Sequence, residues 1–162
     1  MVQAGGAVGR WPIALAEMFE QVYTFEPDPL NFACLVRNAA ALNILKYQAA
    51  LGQSAELIHM EPMEADNAGA GEVIPGGRTP TITIDSLALT DVDFMQLDVE
   101  GSEEKVLRGA AKTIKRDRPV LMLEFGNVAQ AIKDSLAKYL EEIGYRHVGN
   151  VSRDKVFVYG DA

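Results

Sequence analysis

The chain has 162 residues, 48% hydrophobic and 23% charged, with one cysteine and a net charge of −8. Apolar content is too high for a disordered chain, a single cysteine cannot staple a disulfide scaffold, and no apolar run approaches the ~20 residues that cross a bilayer. Neither half is net positive, with 4 basic against 9 acidic residues up to residue 80 and 11 against 14 beyond it, which excludes the cationic footprint that nucleic acid or an anionic membrane requires. The expectation is one cytoplasmic domain over residues 1–162, without a signal peptide.

Val2 to Ala4 reads as a short buried strand that ends in the turn Gly5-Gly6-Ala7-Val8-Gly9. Trp11 to Phe19 then sets Ile13, Leu15, Ala16 and Phe19 on one helical side, with Pro12 tolerated in the first turn. Val22 to Phe25 is a second strand, stopped by Glu26-Pro27-Asp28-Pro29. From Leu30, the positions Phe32, Leu35, Val36, Ala39 and Leu42 keep helical spacing. Tyr47 to Leu51 reads as a third strand, with Ala55 to His59 an antiparallel extension after Gly52. Residues 61–79 hold four glycines and two prolines and read as a long loop, either a lid or a flexible insert.

Thr81 to Ile84 is extended, and Val92 to Val99 is a strongly apolar strand that runs into Asp98-Val99-Glu100-Gly101. Ser102 stands at a helix N-cap with Glu103 and Glu104 in the first turn, and that helix buries Val106, Leu107, Ala110 and Ile114. Pro119 to Phe125 is another apolar strand. The last helix carries Val128, Ile132, Leu136, Tyr139, Leu140 and Ile143 and stops at Gly144. Two strands, around Tyr145 to Val148 and Lys155 to Tyr159, close the chain as a hairpin. Strand and helix alternate from the first residue, which predicts an α/β fold with a mainly parallel twisted sheet, helices on both faces and a C-terminal antiparallel hairpin.

In such sheets ligands bind outside the carboxyl ends of the strands. Gly5-Gly6, Glu26, Asp98 with Glu100, and Glu124 all stand at such ends and should converge on one edge. The turn through Gly5, Gly6 and Gly9 leaves room for a ligand to approach backbone N–H groups at a helix start. Glu26 lies 17 residues beyond Gly9, at the end of the second strand, where a carboxylate accepts from ribose hydroxyls. Together they read as a nucleoside site. The hexamer Ala4 to Gly9 lacks the first glycine of the dinucleotide fingerprint, and the acidic rim of Asp98, Glu100 and Glu124 suits a cationic cofactor better than an anionic one. S-adenosyl-L-methionine, a phosphate-free sulfonium, fits both facts; a nicotinamide dehydrogenase is the weakest reading.

Asp98 and Glu100 alone are too few ligands for a metal ion, and no further ligand cluster is visible in the sequence. His59 and His147 each stand alone in strand-like context. Trp11 reads as helix packing and Cys34 as a buried, inert thiol. The basic run Lys112, Lys115, Arg116, Arg118 reads as a solvated helix end.

Several blocks in order resemble the FkbM-type methyltransferases. These are Val2 to Gly9, Val22-Tyr23-Thr24-Phe25-Glu26-Pro27, Ala50-Leu51-Gly52, Thr83-Ile84-Asp85-Ser86-Leu87, Val92 to Gly101 with its Asp-Val-Glu-Gly, Val106-Leu107-Arg108-Gly109-Ala110, and Arg118 to Phe125. The resemblance implies a Rossmann-like methyltransferase fold and methyl transfer to a hydroxyl of a sugar or small natural product. It places Gly5 and Gly9 beside the methionine part of the cofactor, Glu26 on the ribose and Asp98 near the sulfonium and its amino group. The segment after Leu51, with Gln53 and Ser54 as candidates, would contact adenine. Glu100 and Glu124 are the candidate bases for the acceptor's proton.

Gln3 and Ala7 depart from the aspartate and asparagine usual in that family, and the first strand begins almost at Met1, whereas relatives carry a preceding covering segment. These departures keep open a weak or inactive cofactor-binding module of the same fold, and make a homo-oligomer one way to cover the pocket.

Overall fold

A computed structural model of the chain describes residues 1–62, 71–126 and 128–160. Its frame is a seven-stranded sheet. β1 (Val2–Ala4) pairs in parallel with β2 (Val22–Phe25) on one side and β8 (Phe94–Leu97) on the other. β3 (Ile44–Tyr47) extends the parallel ladder beyond β2, and β9 (Val120–Glu124) extends it beyond β8. The hairpin of β10 (Tyr145–Val151) and β11 (Asp154–Tyr159) completes the order β10-β11-β9-β8-β1-β2-β3, with β11 antiparallel to β9.

A smaller sheet of order β4-β7-β5-β6 is built from β4 (Ala50–Leu51), β5 (Glu56–Pro62), β6 (Gly71–Pro75) and β7 (Thr79–Ile82).

Side chains alternate between the two faces of the large sheet. On one face Val2, Ala4, Phe25, Met95, Leu97, Leu121 and Leu123 form the main core. Packed on them are α3 (Glu103–Arg108), α4 (Ala111–Asp117) and α5 (Gln130–Glu142), through Val106, Leu107, Ile114, Leu136, Tyr139 and Leu140. On the other face α1 (Arg10–Ala16) and α2 (Pro29–Asn38) bury Leu15 and Leu35 against Val22 and Ile44, with Trp11 packed at their edge. Asp28 caps α2, its carboxylate accepting from Leu30 N at 2.9 Å and Asn31 N at 2.8 Å.

Where the elements differ from the sequence reading, the cause is tertiary. The third strand is two strands in two sheets: Ile44 to Tyr47 pairs with β2, whereas Ala50 and Leu51 pair with β7. Leu42 lies beyond the end of α2 and is fully exposed. The helix expected after Ser102 breaks into α3 and α4 at Gly109, where a Cβ would stand 2.0 Å from the Gly52 carbonyl oxygen. Ser102 occupies the N-cap without a side-chain bond; the Glu103 carboxylate instead accepts from Val99 N at 3.1 Å and Gly101 N at 3.4 Å.

The long loop read over 61–79 is in part sheet, because β5 continues to Pro62 and β6 pairs with it antiparallel. Residues 63–70 of that segment lie outside the described residues. Cys34 is half-buried on α2 rather than enclosed.

Candidate functional site

The carboxylates Glu26, Asp98, Glu100, Glu124 and Asp154 gather at the carboxyl edge of the large sheet because the strand order brings them there. β1 runs into Gly5, β2 into Glu26, β8 into Asp98, and β9 ends in Glu124. Antiparallel β11 starts at the same edge, which sets Asp154 opposite Glu124.

The glycine turn is held against this edge from two sides. Gly5 has φ +84°, and a Cβ there would stand 2.0 Å from the Asp98 carbonyl oxygen, so only glycine lets β1 and β8 leave the sheet this closely. The N–H groups of Gly5 and Gly6 both donate to the Phe25 carbonyl, at 3.1 and 2.9 Å, and that of Gly9 donates to Gly6 at 2.9 Å. The Ala7 N–H donates to Glu26 Oε2 at 2.7 Å. The sequence reading expects such donors to face a ligand; the fold has already engaged them by closing the turn onto the end of β2. What the turn offers is contour without an anion cradle.

Glu26 is 5% exposed. Its second oxygen accepts from Asp28 N at 2.8 Å, and Asn31 adds a side-chain bond. Burial raises its pKa above the ordinary carboxylate value, while the bonds from Asp28 and Ala7 pull it back. Glu26 thus ties three chain segments together at one point. Three of its roughly four lone-pair sites are thus occupied, which leaves one for a hydroxyl donor.

Asp98, Glu100 and Glu124 offer oxygens that all lie within 4.8 Å of one another. The sequence shows two of them in one turn; folding adds the third from β9 and so makes a cluster that the linear spacing hides. Burial pushes Asp98 up to about 7, helped by its hydrogen bond to Glu124 and by the charge of Glu124. Glu124 is also raised, chiefly by burial. Like charges this close do not both ionise readily, so the pair favours holding one proton between them. Glu100 is raised by burial and then by Asp98, and Asp154 by burial and then by Asp98.

Glu103 is 1% exposed and raised by burial; its Oε2 has no partner among the described residues. Sequence reasoning missed Glu103, read as a first-turn helix acid, and Asp154, which precedes the strand read from Lys155. Glu100 also holds φ +52°, and Ala7 φ +42°. Non-glycine residues in this left-handed region are uncommon and concentrate at functional turns.

Gln3 has a structural explanation. It lies in register with Thr24 on one side and Gln96 on the other, all three fully buried. Its Nε2 donates to Gln96 Oε1 at 2.9 Å and to the carbonyls of Ala4 and Gly5, each at 3.0 Å, and its Oε1 accepts from the Thr24 hydroxyl. A side chain so fully engaged inside the sheet is a lateral tie beneath the turn. His147 pairs with Asn150 on β10, outside the strand-end cluster, and His59 is exposed on β5.

A parallel sheet with a closing antiparallel hairpin, a glycine turn after β1 and acids after β2 and β8 defines the class: a Rossmann-like methyltransferase fold. The chain belongs to the FkbM methyltransferase domain family, whose profile matches residues 13–147.

Among solved structures it is similar to the methyltransferase FkbM from Methylobacillus flagellatus KT, with a TM-score of 0.67 and 22% identity over 98% of this chain. It spans 43% of that longer protein. A putative rRNA-methylase from Clostridium thermocellum aligns with a TM-score of 0.59 and 8% identity over 99% of this chain and 88% of its own. The magnesium protoporphyrin IX methyltransferase from Synechocystis PCC 6803, determined with bound SAM, aligns with a TM-score of 0.53 and 14% identity over 98% of this chain and 69% of its own. No curated protein matches the sequence. No helix among the described residues is long and apolar enough to cross a membrane.

Proposed function

We propose that this domain binds S-adenosyl-L-methionine at the carboxyl ends of β1, β2 and β8 and methylates a hydroxyl of a sugar or small natural product. The observation that carries the proposal is that the glycine turn packs against both the buried Glu26 at the end of β2 and Asp98 at the end of β8, the latter hydrogen-bonded to Glu124. The residues fit the cofactor. A turn whose N–H groups are already engaged suits a ligand without phosphate, and a cluster of carboxylates suits a cation. When bound, S-adenosyl-L-methionine supplies an electrophilic methyl group on a sulfonium.

In this reading Gly5, Gly6 and Gly9 give the backbone contour against which the methionine part lies. Glu26 accepts from the ribose hydroxyls while keeping its bond to Ala7 N. Asp98 would hold the positive end, and a bound cation would favour the ionised form of the Asp98–Glu124 pair, its proton passing to solvent. Glu124 or Glu100, then ionised and with a pKa raised above the ordinary range, takes the proton of the acceptor hydroxyl. The cavity of about 260 Å³ lined by Gly52, Gln53, Ser54, Thr81 and Ser102 is the space assigned to adenine, with the buried Thr81 hydroxyl beside it unpartnered among the described residues.

A calorimetric titration with S-adenosyl-L-methionine tests the first half; no heat at millimolar cofactor overturns it. Glu124→Gln and Glu100→Gln test the second. Loss of the base lowers kcat by roughly a hundredfold or more while cofactor affinity holds. If neither variant lowers kcat, neither is the base.

A second reading, a binding module with weak or no turnover, is favoured by Gln3, whose amide is engaged within the sheet, and by Ala7, which has no side-chain amide. Cofactor binding without methyl transfer to sugar or phenolic hydroxyls selects that reading.

A further inference from the structure

At the opposite edge of the large sheet, where β9 begins and β11 ends, lies a cavity of about 370 Å³. It is lined by the apolar Ile114 and Ile143, by Tyr139 and Tyr159, and by the cations Lys115 and Arg118. We propose that this cavity is a second binding site, for a small planar aromatic molecule that carries an anionic group. It is not part of the strand-end cluster, because the length of β9, about 15 Å, separates Arg118 from Glu124.

Three observations converge on it. Lys115 and Arg118 form no ion pair among the described residues, in a chain where acids outnumber bases 23 to 15. Two unneutralised cations therefore face one apolar hollow. The Arg118 guanidinium is stacked over the Tyr159 ring, 4.3 Å from its centroid, so the fork is held in place before a ligand arrives and little rotamer freedom is lost on binding. Arg118 also closes α4 in the left-handed region, φ +51° and ψ +51°, where glycine is the easier residue. An arginine placed there at a backbone cost points to a use for its side chain. The apolar lining (Ile114 is 5% exposed and Tyr139 8%) takes the ring, and the two cations take the charge.

Naphthoate and naphthyl phosphate are the probes, with uncharged naphthalenemethanol as comparator, titrated into the full chain by calorimetry and followed by amide chemical shifts. Binding of either anion, with shifts centred on Lys115, Arg118 and Tyr159 and roughly tenfold weaker binding of the alcohol, supports the site; which anion binds more tightly distinguishes carboxylate from phosphate. Arg118→Gly removes the fork while relieving the backbone, so the fold persists and affinity falls by about tenfold or more. Lys115→Gln, at an exposed position, lowers affinity in the same direction. No binding at millimolar probe, equal binding of the alcohol, or unchanged affinity in both variants overturns the proposal.

Discussion

The two edges of the large sheet are built from the same strands and carry opposite chemistry. At the carboxyl edge Asp98, Glu100, Glu124 and Asp154 stand close enough to raise one another's pKa, and among the described residues no ion pair neutralises them. At the amino edge Tyr145 donates from its hydroxyl to the Pro119 carbonyl at 2.8 Å, and Arg118 stacks on Tyr159. One edge holds repulsion that a cation would relieve; the other is satisfied except for two cations. Stability and binding should therefore respond in different ways at the two ends.

The largest expected effect tests how tightly the carboxyl edge is closed. Gly5→Ala must shift the backbone at φ +84° and displace the Asp98 carbonyl, so it should destabilise the fold by about 4 kcal/mol or more, read by urea denaturation. A loss below about 1 kcal/mol would mean that β1 and β8 separate more freely than this packing allows.

Next in size is a pair of opposed pH dependences. Asp98 is raised from 3.8 to about 7, so the native state holds a proton that the unfolded chain has released. The associated stability is fully present below the unfolded value and is lost as pH rises through the folded one. The melting temperature should fall by roughly 3–6 °C between pH 5 and pH 8, and Asp98→Asn should flatten that slope. Affinity for a cationic cofactor runs the other way. It rises with pH by up to about tenfold per unit until the shared proton is gone near neutrality, and is level beyond. Parallel slopes for stability and affinity would break the assignment of the cation to this cluster.

Smaller again is Glu26→Ala, which removes the tie to Ala7 and the proposed ribose acceptor together. It should weaken cofactor binding by roughly ten- to a hundredfold and destabilise the fold by about 1–3 kcal/mol. Glu26→Gln keeps an acceptor but not the charge and should lie between. The smallest effect belongs to the amino edge. Tyr145→Phe loses one hydrogen bond, about 1 kcal/mol of stability, and leaves cofactor affinity unchanged, which calorimetry checks.

Much of this molecule is local and was legible in order along the chain. Apolar periodicity located β1, β2, β9 and α5 to within a few residues, because each buries a face whose spacing is written into consecutive positions. Gly5, Glu26 and Asp98 could be assigned to strand ends for the same reason, since an apolar run that stops at a glycine or an acid marks its own boundary. The split at Gly109 was not legible, because it follows from the Gly52 carbonyl, far away in the chain. Nor was the division of residues 44–51 between two sheets, which depends on partners at β2 and β7.

The chemistry of the candidate site belongs mainly to that second kind. That Asp98 meets Glu124, that Asp154 faces the same pair, that Glu26 holds the Ala7 N–H, and that Gln3 lies between Thr24 and Gln96 all depend on strand order and register. Residue spacing records which faces must be buried. It does not record which strands become neighbours, because that choice is made by packing among segments tens of residues apart, and a carboxylate's pKa depends on those neighbours and on the water they exclude.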